Sequence, residues 1–274
     1  MENKNILMLR HHPMNVLFTN SFYTKQTEED LSEYTIIDVT SRVVMNKEFM
    51  KVHPNFAKEI SPFYIGPVVG TDGAKANIFE IFWQCGKVYP CHDNNGKPNG
   101  DFFKWRKEFY DKKQCSKELM RHACESIGYN NKDCLYFAYF DKEKGEYVPL
   151  NYVDSRKKVY FKEYAKLVYD TPSFKWLKSL VDNGEKIALV DFDTYNYNEK
   201  CGMRKKYEQY INKCEKEKIN PTIPESSFLS IGSMKDAINC SFLQAGHGFV
   251  LKALLQGDIE VVNGEVIDHE GILE

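Results

Sequence analysis

The run Ile187–Val190, with Gly184 before it and Asp191 and Asp193 after it, constrains the fold more than any other feature of the chain. Four consecutive apolar residues suit a strand buried on both faces, because alternation would leave every second residue in water. The segment before it reads as helix, ended by Gly184. Helix, glycine, buried strand and acidic strand end is the grammar of an α/β fold. A second strand is expected in "TIIDVTSR" (35–42), around Ile36, Ile37 and Val39.

The rest of the chain fits one mixed α/β (α+β) domain, helix-rich, with a small sheet. Residues 102–128 read as helix in two pieces. Residues 134–152 read as a hairpin turning at "DKEKG". Residues 154–184 read as two helices, the second restarting at "DTPS", with Asp170 or Thr171 as its cap. A Lys/Glu-rich helix follows from 199, and 233–258 is helical with a "GHG" interruption. The tail is expected to turn at Asn263–Gly264. "SPFYIGPVVGTDG" (61–73) is a loop, with a short strand expected at Tyr64–Ile65. The 274 residues can bury a core without staples, and no domain boundary stands out.

The stretch "ANIFEIFWQCGKVYP" (76–90) reads as a largely apolar helix that carries Glu80, Gln84 and Lys87. At about 100° per residue, Gln84 falls roughly 40° to one side of Glu80 and Lys87 roughly 20° to the other. The three make a narrow polar slot flanked by Trp83, not the wide polar face of a surface helix. One reading is a thin solvated edge or a buried ion pair. The other is the wall of a pocket, since buried charges are paired or placed in sites. A carboxylate among apolar walls has a raised pKa and serves as acid or base near neutrality, while a nearby ammonium opposes that shift. Trp83 offers a face for a base or a developing cation. Such parts suit cleavage of a glycosidic bond.

"SPFYIGPV" and "FEIFWQCGK" together resemble the signature of the NADAR family, S-N-F-Y-x-x-P followed by V-E-H-x-x-Q-A-x-K. Ser61, Phe63, Tyr64 and Pro67 match the first segment, and Glu80, Gln84 and Lys87 match the second. "VLKALLQGD" (250–258) is similar to the family's L-x-x-x-L-L-x-T-G-D. The chain departs from the pattern at Pro62 and Ile81, and residues 91–235 stand outside it as an inserted or divergent region. The whole chain also resembles an uncharacterised family of phages and fungi, with D-x-T-S-R, S-P-F-x-x-G-P, E-x-x-W-Q-x-x-K, A-R-K-x-I-Y-x-x-Y, D-F-D-x-Y and G-H-x-x-V-L. The NADAR resemblance implies an N-glycosidase that hydrolyses the bond between a ribose phosphate or ADP-ribose and a nucleobase-like group. It implies that Glu80 handles the proton or water, that Lys87 binds phosphate or tunes Glu80, and that Trp83 and Tyr64 pack on the ligand.

Other residues carry candidate roles of their own. Asp191 and Asp193 lie at the C-terminal end of the buried strand, where α/β folds place ligands; they serve there as acid/base groups, ribose-hydroxyl or divalent-metal contacts, or as plain caps and turn formers. His247, between two glycines at a helix start, is a phosphate contact or a capping residue. Arg42 and Arg156 are candidate phosphate ligands, although "SRKK" also fits a solvated helix face.

Net charge is −2, which gives no broad attraction for nucleic acid; a DNA substrate would need a local basic patch. The eight cysteines lack C-x-x-C pairs or zinc spacing, so neither a metal nor another cofactor is expected. No secretory signal or apolar run of about 18 residues is visible, which points to the cytoplasm, the host's if the source is a phage. No membrane and no obligate protein partner is expected. Two rival functions remain: a non-catalytic binder of nucleotides or ADP-ribose, and a phage-type enzyme of nucleic-acid base modification.

Overall fold

The computed structural model describes residues 16–19, 31–40, 47–191 and 200–274. Its central element is the predicted strand Ile187–Val190, buried along its whole length. It pairs in parallel on one side with Val16–Thr19 and on the other with Thr35–Asp38. A strand between two others, packed on both faces, can carry no polar side chain cheaply, which explains the unbroken apolar run. The helix His247–Gln256 packs on Val16–Thr19 and on the central strand, and the helices Lys162–Val168 and Pro172–Asp182 pack on that helix in turn. The result is a mixed α/β domain of many helices and several small sheets.

A second, antiparallel sheet joins Lys87–Val88 to the hairpin Tyr136–Asp141 and Glu146–Leu150. Its turn is the expected "DKEKG": Asp141 accepts from the backbone of Glu143 and Lys144, and Gly145 takes φ 67°. The tail hairpin Ile259–Val262/Glu265–Asp268 turns at Asn263 (φ 52°) and Gly264 (φ 78°), the mirror-image turn that matches strand twist. The helical span after residue 100 divides into Gly100–Tyr110, capped by Asn99, and Lys117–Glu125, capped by Ser116. Thr171, not Asp170, caps Pro172–Asp182.

Two local expectations are corrected. The short strand near Tyr64 lies instead at Val68–Val69, paired with Lys75–Ala76, because residues 61–65 form a turn on Ser61. The helix expected over 76–90 covers only Phe79–Cys85, and Lys87 belongs to the antiparallel sheet. Gly86 follows the helix as its C-cap, and only glycine fits there, because a Cβ would sit 2.3 Å from the Phe137 ring. Residues 91–235 supply the central strand together with Phe102, Trp105, Phe137, Tyr160 and Tyr164 of the main core.

Candidate functional site

The loop 61–66 and the Glu80 helix form one unit. The backbone N–H groups of Phe79 and Glu80 donate to the carbonyls of Ile65 and Pro62, each at 2.9 Å. The loop lies so close that a Cβ on Gly66 would be 2.3 Å from the Asn77 carbonyl oxygen. This seats Glu80 in the first turn of the helix with its side chain in the wall of a cavity of about 450 Å³.

Glu80, Gln84 and Lys87 are joined in a line, although Lys87 is off the helix. Lys87 Nζ donates to Gln84 Oε1 at 2.5 Å, and Gln84 Nε2 donates to Glu80 Oε1 at 2.7 Å. An ammonium can only donate, so it fixes which end of the Gln84 amide faces the carboxylate. Burial pushes the Glu80 carboxyl above its ordinary pKa. The Gln84 hydrogen bond and the charges of Lys87, His247 and Lys117 oppose that rise without cancelling it. Trp83 stands beside the line, stacked on Phe137 at 5.2 Å, with Lys87 Nζ 5.8 Å from its ring centre.

The opposite wall comes from the C-terminal end of the parallel sheet. His247 opens its helix after Gly246, and its Nε2 donates to the Val39 carbonyl at 2.5 Å. Its Nδ1 lies 3.5 Å from Asp191 Oδ2, an ion pair whenever the ring is protonated. Tyr160 and Arg156 line the cavity from a π-helical stretch, Arg156–Phe161, inside the longer helix. Such widened turns recur at functional sites. The helix Lys117–Glu125 sets Lys117 and Arg121 on the rim, one turn apart.

Of the residues singled out in the sequence, Phe63, Glu80, Trp83, Gln84, Lys87, Arg156, Asp191 and His247 line this cavity. Ser61 is buried beside it, where its Oγ and carbonyl accept from the turn it starts. Tyr64 is corrected: at 58% exposure it points to solvent and does not line the cavity. Arg42 and Asp193 lie outside the described residues. Arg156 is not on a solvated face. Its Nη1 and Nη2 donate to the carbonyls of Ala237, Ile238, Cys240 and Leu243, and its plane covers Tyr152 at 4.4 Å. Those groups are thereby engaged with backbone, and the guanidinium works here as a strut.

Sequence reasoning passed over Lys117, Arg121, Asn131, Tyr152, Tyr160 and Gln244. Lys117 and Arg121 look like any charged pair at i, i+4, and only the packing of their helix turns them to the rim. Tyr160 alone had a signal, since it falls in the "SRKKVYFKEY" segment next to Arg156. Among the described residues no group of three His, Cys, Asp or Glu side chains could hold a metal. None of the described helices is long and apolar enough to cross a membrane.

No family model, no curated protein and no solved structure matches the chain. That finding overturns the attribution to the NADAR family. The ADP-ribose and hydrolase designations rested on that resemblance and the phage designation on the one to a family of phages and fungi, and they fall by the same finding.

Proposed function

We propose that the cavity is a catalytic site in which Glu80 moves a proton while an N-glycosidic bond of a nucleotide-like sugar phosphate breaks. The observation that carries the proposal is Glu80 itself, a buried carboxyl in a cavity wall with its pKa raised by burial. Burial favours its protonated form, the form that gives a proton to a leaving nitrogen. The bond between the anomeric carbon and nitrogen breaks, its electron pair leaves with the nitrogen, and the Glu80 proton joins that nitrogen. An oxygen nucleophile then adds to the carbon and returns its proton to the carboxylate. Asp191, on the far wall, is placed to offset positive charge on the sugar ring. Phe63 and Trp83 offer faces for a flat leaving group. Lys87, Lys117 and Arg121 suit a phosphate.

Incubation with a panel of N-ribosides and ribonucleotides, read by mass spectrometry, tests this. Wild-type protein is expected to separate base from sugar phosphate, and Glu80→Gln to lose that activity by about a thousandfold or more while keeping its fold. Wild-type turnover in the variant removes Glu80 from the chemistry. Tight binding without cleavage makes the protein a non-catalytic nucleotide binder.

A further inference from the structure

We infer that Tyr160 and Asp191 form a hydroxyl-binding subsite at the inner end of the cavity, one that selects a sugar bearing a free hydroxyl over its deoxy counterpart. The inference rests on the cavity being a sugar-phosphate site and adds to that reading a residue and a selectivity.

Buried tyrosines elsewhere in this core have partners. Tyr164 donates to the Ile60 carbonyl, Tyr110 to the Phe82 carbonyl, and Tyr89 meets Cys124 and Asn131. Tyr160 is only 6% exposed and lines the cavity, yet no described residue bonds its hydroxyl. The oxygen sits at the Gly246 wall, 3.9 Å from where a Cβ on Gly246 would be. The ring is held edge-on by Phe79 and Trp83, each with centres 5.0 Å away. A hydroxyl that opens onto the cavity from a ring packed in the core, with no partner among the described residues, is suited to one in a ligand.

The surroundings say which kind. Burial first, then the charges of Glu80, Tyr164 and Asp191, keep Tyr160 protonated and so a donor. Two carboxylates nearby make an anion the wrong occupant of this end. A sugar hydroxyl fits, because it accepts from Tyr160 while giving its own proton to a carboxylate. Asp191 is placed for that by the end of the central strand, with His247 beside it. A deoxy ligand leaves the Tyr160 hydroxyl without that acceptor, so deoxy analogues are rejected.

Calorimetric titration of the whole chain with ribose 5-phosphate and with 2-deoxyribose 5-phosphate tests the subsite without requiring bond cleavage. Wild type is expected to prefer ribose 5-phosphate by about tenfold or more, the worth of one good hydrogen bond. Tyr160→Phe keeps the ring and is expected to bind the two sugars about equally. Tyr164→Phe, which removes a structural hydroxyl, keeps the preference. An undiminished preference in Tyr160→Phe, or none in wild type, overturns the inference. Loss of turnover in Glu80→Gln is independent of either result.

Discussion

At the scale of single residues, the decisive fact is that a carboxylate is buried with only partial compensation. Glu80 has Gln84 directly and Lys87 at one remove, and its pKa still rises because burial outweighs both. The consequence for stability follows from the sign. A carboxyl with a raised folded pKa contributes stability that is whole below the unfolded value of about 4.3 and is lost as pH climbs through the folded value. Glu80→Gln removes that loss. Thermal melts of the variant and wild type are expected to agree near pH 4 and to separate in the variant's favour by pH 8. Convergence at high pH would mean that the carboxylate is better solvated than its burial implies. Gln84 lends itself to a second test. Its hydrogen bond lowers the Glu80 pKa, so Gln84→Met is expected to move the Glu80 limb of the pH–rate profile to higher pH. A limb that stays in place breaks the link between the two residues.

At the scale of elements, the sequence displayed local periods well and element ends poorly. The polar slot was legible because Glu80 and Gln84 share a helix face, and Lys87 was found by the same count although it sits in a strand. The helix end was not legible, since Lys87–Val88 leaves the helix to pair with Tyr136–Phe137, some 50 positions further along the chain. Another long-range contact ties the Gly100–Tyr110 helix to the loop 70–74. Arg106 Nη2 reaches Asp72 Oδ2 at 2.5 Å, with Tyr147 donating to the same oxygen. Burial alone would raise the Asp72 carboxyl; the Tyr147 hydroxyl, Arg106 and the Ala74 N–H together hold it below its ordinary pKa. Both side chains are about one-tenth exposed, so removing one leaves the other charge stranded. Asp72→Asn is expected to cost about 3–5 kcal/mol in urea unfolding. The loss should shrink as pH falls through the folded Asp72 pKa, where wild type is protonated too. A cost under about 1 kcal/mol would class the pair with ordinary surface bridges.

At the scale of the whole molecule, the site exists because distant segments close on one another. The sheet sets a late strand between two early ones, a pairing that no local pattern encodes; Val16–Thr19 drew no attention as a strand for that reason. The C-terminal end of that sheet was legible as a ligand position, while the wall facing it was not. Arg156 shows how the closure is held. From the π-helical stretch its fork reaches carbonyls 81 to 87 residues further along the chain, in the segment that leads into Gly246 and His247. The arrangement requires a planar group with several donors; Lys keeps the charge but has one nitrogen to offer. Arg156→Lys is therefore expected to destabilise the protein by about 3 kcal/mol, as charged hydrogen bonds to buried carbonyls are lost. It should also weaken ribose 5-phosphate binding, because the 237–246 segment that carries the His247 wall loses its anchor. The two effects can be separated. Urea titration reads the first, and hydrogen exchange along 237–246 reads the second as faster opening of that segment relative to the central strand. Unchanged exchange there, together with unchanged binding, would leave Arg156 a local plug of the π-helix with no part in shaping the cavity.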